Sequence, residues 1–306
     1  MKSLTIATRE SPLALWQAEW VKNQLQTLYP QLIIHLLGIT TQADKLLATP
    51  LREIGGKGLF VKELEDALLD GRADIAVHSM KDVPMVLHPE LVVPVICVRE
   101  EVRDAFVSDR YVSWQELPEN ACIGTSSLRR QSQLQALCPG IAVRDLRGNV
   151  GTRLRKLDEG EFDAIILAAA GLARLGLGQR ICSYFAVEDM LPAAGQGALG
   201  IECSKHATAL MRLLAPLNHV PTFVCVTAER AMCRRLDGNC RVPLAAYAIE
   251  QSGEVTLRGM VASADGAKIL HAQQSAECSA VEQLGHAVAA ELLRQGASEI
   301  LQVFKK

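Results

Sequence analysis

The sequence has no Cys-x-x-Cys pair, although it holds nine cysteines, at 97, 122, 138, 182, 203, 225, 233, 240 and 278. An odd number at scattered spacing argues against a disulfide framework, and most of these thiols are expected to be small core residues. Cys203-Ser204-Lys205-His206 could supply half a zinc site, but no second half has suitable spacing, so no metal is expected. No stretch approaches the roughly 18 apolar residues needed to span a bilayer. Nor does an apolar run of signal-peptide length follow Lys2, so the expected location is the cytoplasm. A basic excess is missing as well. Lys plus Arg number 32 against 34 Asp plus Glu, a net charge of −2, which argues against a dedicated nucleic-acid binder. Gly55-Gly56-Lys57-Gly58 lacks the Gly-Lys-Ser/Thr of a phosphate-binding P-loop.

What is present is an ordinary globular composition, 49% hydrophobic and 22% charged over 306 residues, enough for two or three domains with cores of their own. Short apolar runs alternate with helical patterns, the mark of an α/β architecture. Leu4 to Ala7 reads as a strand, and Ser11-Pro12 as the N-cap and first residue of a helix. Leu13, Trp16, Trp20, Leu25 and Leu28 are expected near one face of that helix, which Pro30 ends. Leu32 to Leu37 reads as a strand, Thr40 to Gly58 as a loop near a site, Leu59 to Leu69 as a helix, and Asp74 to Val77 as a strand ending at His78-Ser79-Met80-Lys81-Asp82. A second unit, from about residue 103, repeats the alternation. Its strands are Ala121 to Ile123, Ile141 to Arg144 and Ala164 to Ala168. Helices follow Gly124-Thr125-Ser126-Ser127 and Arg147-Gly148-Asn149-Val150-Gly151-Thr152, and another begins at Gly171. Polar residues thus follow the strand ends, which form the ligand crevice of open α/β sheets. From about 217 a smaller α+β unit is expected, with a helix over Thr227–Leu236, paired strands around Gln251-Ser252-Gly253, and an amphipathic helix over Val281–Gln295.

Three features carry possible chemistry. Between Arg129 and Arg180 there are eight arginines and one lysine against five acids, several of them at helix starts, where anions settle. They form either a cleft for a polyanionic organic ligand or solvated surface charge. Asp82 follows a strand directly: it either stabilises a developing cation and moves protons, or is a turn residue ahead of Val83-Pro84. Cys240 sits in the turn-rich stretch Asp237-Gly238-Asn239-Cys240-Arg241-Val242-Pro243, where neighbouring arginines favour a thiolate; the alternative is an incidental loop thiol. Gly195-Gln196-Gly197-Ala198-Leu199-Gly200 matches a dinucleotide pattern, but no strand precedes it and Ala198 to Cys203 itself reads as a strand, so that reading is rejected.

These motifs, taken in order, resemble the porphobilinogen deaminase family. They are Ala7-Thr8-Arg9 with Ser11-Pro12-Leu13-Ala14, Gly55 to Phe60, His78 to Pro84, Gly124 to Arg130, Arg147 to Arg153, Leu191-Pro192 with Gly195-Gln196-Gly197, and Gly238 to Cys240, covering residues 4 to about 303. The resemblance implies a fold of two periplasmic-binding-protein-like lobes with a smaller α+β C-terminal domain. The first lobe would take residues 1–97 and 198–216, the second 103–191, and the third domain 217–306. It also implies a transferase that joins four porphobilinogen molecules head to tail into hydroxymethylbilane, releasing ammonia, in tetrapyrrole (haem) biosynthesis. A dipyrromethane cofactor, one per chain, would be held by a thioether at Cys240.

Asp82 would be the catalytic residue, stabilising the cationic azafulvene left when ammonia departs. Ser79, Lys81, Asp82, Thr125, Ser127, Arg129, Arg130 and Arg147 would contact the cofactor. Arg9, Ser11, Phe60, Arg147, Arg153, Arg174 and Gln196 would contact the substrate. The family implies a monomer with a small-molecule partner and neither nucleic acid nor membrane. The chain departs from the family pattern at Thr41-Gln42-Ala43-Asp44, where Gly is usual at position 43, and at Ala48, where an acid is usual. A non-catalytic two-lobed anion binder would account for the cleft but not for Asp82 and Cys240 together. A regulatory module for nucleic acid is disfavoured by the near-neutral charge.

Overall fold

A computed structural model describes residues 2–45, 61–238 and 242–304. The chain opens with β1 (Ser3–Arg9), α1 (Pro12–Leu28), β2 (Ile33–Ile39), the single turn α2 (Gln42–Lys45), α3 (Lys62–Leu69), β3 (Ile75–Ser79) and β4 (Leu91–Ile96). A 3₁₀ turn, Met80–Asp82, caps β3. It then crosses to β5 (Asp104–Val107), β6 (Cys122–Gly124), α4 (Leu128–Leu137), β7 (Ala142–Arg144), α5 (Val150–Asp158), β8 (Ala164–Ala168), α6 (Ala169–Arg174) and β9 (Ser183–Tyr184). After a second crossing come β10 (Leu199–Ser204) and α7 (Thr208–Leu214). The chain ends in α8 (Val220–Arg235), β11 (Leu244–Gln251), β12 (Glu254–Ala262), β13 (Ile269–Glu277), α9 (Val281–Arg294) and α10 (Ala297–Gln302).

The first sheet has the order β2-β1-β3-β10-β4 and the second β7-β6-β8-β5-β9. The two follow one plan. Three parallel strands run second-first-third, and the fourth place is taken antiparallel by the strand that has just crossed over: β10 in the first sheet and β5 in the second. Parallel strands are buried on both faces, and each sheet accordingly has apolar clusters on both sides. Ile6, Val21, Leu25, Ile75 and Ile201 fill one face of the first sheet, and Ala7, Leu64 and Ala76 the other. Phe106, Ile123 and Leu134 oppose Val107, Leu154 and Ile165 in the second. The third unit is an antiparallel meander, β11-β12-β13, against α8 and α9 around Met232, Leu257, Val288 and Leu292.

Several elements differ from their expected form. In α1 the buried face is Gln17, Ala18, Val21 and Leu25, while Leu28 is 45% exposed, so the apolar residues mark the core only in part. Gln17 is buried because its amide donates to the Ser79 hydroxyl, 2.8 Å away, linking the helix to the end of β3. α6 begins at Ala169, directly after β8, rather than at Gly171. The expected loop from Thr40 contains α2. Its remainder, with Ala48, Gly55-Gly56-Lys57-Gly58 and the start of the helix expected at Leu59, lies outside the described residues. Strands β4, β5, β9 and β13 were not anticipated. They are short, edge-placed or polar on one face and leave little periodic signal. No single helix among the described residues is long and apolar enough to cross a membrane.

Candidate active site

The C-terminal ends of β1, β3, β6, β7 and β8 converge on one cleft of about 600 Å³ between the two sheets. Chain geometry explains why polar side chains collect there. A parallel strand that ends in a tight turn into a helix leaves its last residues, and the free N–H groups of the helix start, at the same edge. Three capping residues line the cleft. Ser11 accepts from the Ala14 N–H (3.3 Å), Ser127 from the Arg130 N–H (3.5 Å) and Asn149 from the Thr152 N–H (2.9 Å). The helices α1, α4 and α5 thus turn their positive ends toward it.

Every expected site residue that the structure describes lines this cleft: Arg9, Ser11, Ser79, Lys81, Asp82, Thr125, Ser127, Arg129, Arg130, Arg147, Arg153, Arg174 and Gln196. Phe60 and Cys240 lie outside the described residues, as does Arg241; Gly238 and Val242, on either side, line the cleft. Asp82 is exposed on the 3₁₀ turn after β3 and takes no hydrogen bond or ion pair among the described residues.

The basic residues fall into two groups. Arg129 and Arg130 are buried and tied to Asp104, which is wholly buried at the start of β5. Arg129 donates to its Oδ2 (2.7 Å), and Arg130 to its Oδ1 from Nε (3.0 Å) and Nη2 (2.8 Å). Burial alone would raise the Asp104 carboxyl, but the two guanidinium groups hold it well below the usual carboxylate range. Arg174 donates to the Gly197 carbonyl (2.6 Å) and lies over the Trp16 ring. Arg9 is paired with Asp44 of α2. These four therefore carry structural bonds besides any to a ligand.

Lys81 and Arg147 make no hydrogen bond or ion pair among the described residues, and Arg153 donates only to the Gly148 carbonyl (2.8 Å). Burial pushes the Lys81 ammonium down to about 8, opposed by the charge of Asp82, and burial also lowers Arg153. The cleft thus presents cations with unused donors around the Asp82 carboxylate, which takes no hydrogen bond or ion pair among the described residues. Such a field attracts an organic polyanion and, at Asp82, a developing positive charge.

Four positions that shape the site carried no readable motif. Asp104 neutralises the Arg129–Arg130 pair. Arg230 of α8 donates to the carbonyls of Val83 (3.1 Å) and Pro84 (2.5 Å), fixing the backbone just past Asp82. Arg99 and Glu229 tie the two crossings to the third unit. Glu229 accepts from Arg99 (2.7 Å) and from the backbone N–H groups of Gly195 (2.7 Å) and Ala248 (2.8 Å). Each is a long-range contact, and single-sequence spacing does not encode such contacts. Gly197 belongs to the same knot. At φ +86 a Cβ there would lie 2.4 Å from the Glu100 carbonyl oxygen. The glycines of 195–200 therefore serve a close chain crossing, consistent with rejecting a dinucleotide turn. Gln196 donates to the Val102 carbonyl (2.6 Å) and to Asp104 (3.0 Å), while its buried Oε1 has no partner among the described residues.

Comparison with known proteins matches residues 4–212 to the family model described as porphobilinogen deaminase, dipyromethane cofactor binding domain, and residues 223–294 to that for the porphobilinogen deaminase C-terminal domain. A porphobilinogen deaminase of Laribacter hongkongensis is 54% identical over 305 residues, covering 100% of this chain and 99% of that protein. Another, from Chromobacterium violaceum, is 55% identical over 301 residues, covering 98% and 97%. Among solved structures, a periplasmic substrate-binding protein of an ABC transporter from Coxiella burnetii matches at 13% identity and TM-score 0.45 over 74% of this chain and 96% of that one.

Proposed function

Because this chain belongs to the porphobilinogen deaminase family, we propose that it joins four porphobilinogen molecules head to tail into hydroxymethylbilane, releasing ammonia, for tetrapyrrole biosynthesis. The observation that carries the site assignment is the exposed carboxylate of Asp82, without a hydrogen bond or ion pair among the described residues, in a cleft lined by Lys81, Arg147 and Arg153. The donor set fits a dipyrromethane cofactor. Lys81 and Arg147, with no hydrogen bond or ion pair among the described residues, suit its carboxylates, and the hydroxyls of Ser79, Thr125 and Ser127 suit its polar atoms. Cys240 is assigned the thioether, supported by Gly238 and Val242 lining the cleft on either side of its loop. When bound, the cofactor supplies a tether and a nucleophilic pyrrole carbon.

The protein's own residues do the rest. Lys81, Arg147 and Arg153, with Arg129 and Arg130 behind them, hold carboxylates and fix the register of the pyrroles. Arg9, Ser11, Phe60, Arg147, Arg153, Arg174 and Gln196 are assigned to the incoming substrate, and Ser79, Thr125 and Ser127 to polar contacts of the cofactor. Asp82 stabilises the cation that develops as the C–N bond breaks, and accepts the proton lost by the pyrrole carbon that forms the new bond. For the domains we propose 1–97 with 198–216, then 103–191, then 217–306, supported by a separate sheet and core in each. A cytoplasmic monomer acting on a small molecule, without nucleic acid or membrane, completes the reading.

Intact mass tests it. The protein weighs more than its sequence by one dipyrromethane, and Cys240→Ala removes the excess; full activity at the bare sequence mass would overturn the cofactor assignment. Asp82→Ala keeps the extra mass and stops turnover, and near-normal turnover in that variant would contradict the role of Asp82.

A further inference from the structure

Behind Asp82 a second, smaller cavity of about 60 Å³ opens between the ends of β1 and β3. It is large enough for a water molecule or two, and Ser11, Gln17, His78, Ser79 and Asp82 are among its lining residues. His78 forms part of its wall. The side chain is nearly buried, and Nε2 lies 2.9 Å from Oε2 of Glu202 on the neighbouring strand β10. Glu202 is itself 1% exposed, and its other oxygen has no partner among the described residues. The second ring nitrogen of His78, Nδ1, likewise makes no hydrogen bond among them. A carboxylate on one ring nitrogen fixes the tautomer and leaves the other as a lone-pair acceptor. Here a carboxylate backs the imidazole of a residue that lines a small cavity, with Asp82 on the same cavity's wall.

We propose that His78 and Glu202 are a proton-holding pair that serves Asp82 through water in this side cavity. The proposal rests on the reading of Asp82 given above. Each C–C bond made at a pyrrole carbon requires that carbon to lose its hydrogen as a proton, the C–H electron pair returning to the ring. The ammonia of the incoming unit leaves with the electron pair of its C–N bond. One proton per addition must therefore leave Asp82 before the next addition. It passes by way of water to Nδ1 of His78, giving an imidazolium held by the Glu202 carboxylate, and from there to solvent, where ammonia can take it up. The charged and titratable groups that interact with the pair are Glu65 on α3, Cys203 beside Glu202 on β10, and Arg230 on α8. His78 acts through Asp82 and does not touch the reacting atoms.

The first test is independent of turnover. ¹⁵N NMR of the cofactor-loaded protein is expected to find the resting His78 as the Nε2–H tautomer, and Glu202→Gln is expected to disturb that tautomer. A proton resident on Nδ1 in the resting protein would overturn the proposal. The second test is kinetic. His78→Gln and Glu202→Gln keep the cofactor mass, lower kcat roughly 10- to 100-fold with KM little changed, and alter the acid limb of the kcat–pH profile. Full kcat with an unmoved profile would overturn it, as would a lower thermal midpoint with the profile unmoved, which marks a merely structural pair. Should His78→Gln fail to fold, the near-isosteric Glu202→Gln and the NMR tautomer decide. Turnover surviving in Asp82→Ala would instead remove the reading of Asp82, while the tautomer still reports on the pair.

Discussion

Replacing Asp104 with Asn isolates one buried charge at nearly constant volume. The wild-type carboxylate accepts from Arg129 at 2.7 Å, from Arg130 at 3.0 and 2.8 Å, and from Gln196 at 3.0 Å, with no exposure to solvent. An amide has one accepting oxygen and no charge, so two buried guanidinium groups lose their counter-ion. Removing one partner of a buried pair typically costs about 3–5 kcal/mol, because the remaining charge is left desolvated. For a chain of this size that lowers the thermal midpoint by roughly 5–10 °C. The pH dependence gives a second check. The Asp104 carboxyl is held below its unfolded value, which is about 3.9. Its contribution is therefore complete above that value and is lost as pH falls toward the folded one. Urea unfolding of both proteins between pH 3 and 8 should give a constant gap from about pH 5 upward that narrows below about pH 4. A gap under about 1 kcal/mol at pH 7, or one that widens on acidification, would refute the account of a buried, ion-paired Asp104.

Arg230→Met removes both donors to the Val83 and Pro84 carbonyls. It should cost about 2–4 kcal/mol in urea unfolding and lower kcat, with the cofactor mass intact. Lys81, pushed down to about 8 in the fold, binds fewer protons folded than unfolded between that pH and its unfolded value. Stability of the unliganded protein should therefore rise with pH across that window, and Lys81→Met should flatten the rise; affinity for a dicarboxylate should fall as pH passes 8, by isothermal titration. Gly285 sits in α9, where a Cβ would lie 2.6 Å from the Ala228 carbonyl and the Ala231 methyl carbon. Gly285→Ala should thus destabilise by about 1–3 kcal/mol in thermal unfolding, although alanine is the better helix former.

The residues that cap helices and end strands were legible in the sequence, because their signals are local. Ser11-Pro12 does start α1, Ser127 caps α4, and the hairpin at Gln251-Ser252-Gly253 joins β11 to β12. The polar strand ends meet in one cleft because parallel strands place them there, so clustering followed once the alternation was read. What each arginine does on arrival was not legible. The sequence places Arg129, Arg130 and Arg153 in similar polar turns, yet two are held by Asp104 and one is left with most of its donors unused. That difference depends on Asp104 of β5, 25 positions from Arg129 in sequence, which meets the pair only when the second lobe has folded. The buried face of α1 was misread for a related reason. Gln17 goes inward because Ser79 awaits it, a tertiary partner that apolar periodicity cannot report.

The interleaving of the two sheets bears on how the polypeptide is made. β10 lies between β3 and β4, although some hundred residues separate it from β4 along the chain. During synthesis on a ribosome, at about 5–20 residues per second, β3 and β4 emerge seconds before the strand that must lie between them. Until then the nascent first sheet carries an open seam whose unpaired backbone is a template for wrong pairing. The second sheet, by contrast, receives β5 before its other strands and closes as soon as β8 and β9 are made. The order of translation therefore favours the second lobe as the first to complete, with the N-terminal lobe kept waiting. A chaperone that shields early intermediates would find its client surface on the N-terminal half.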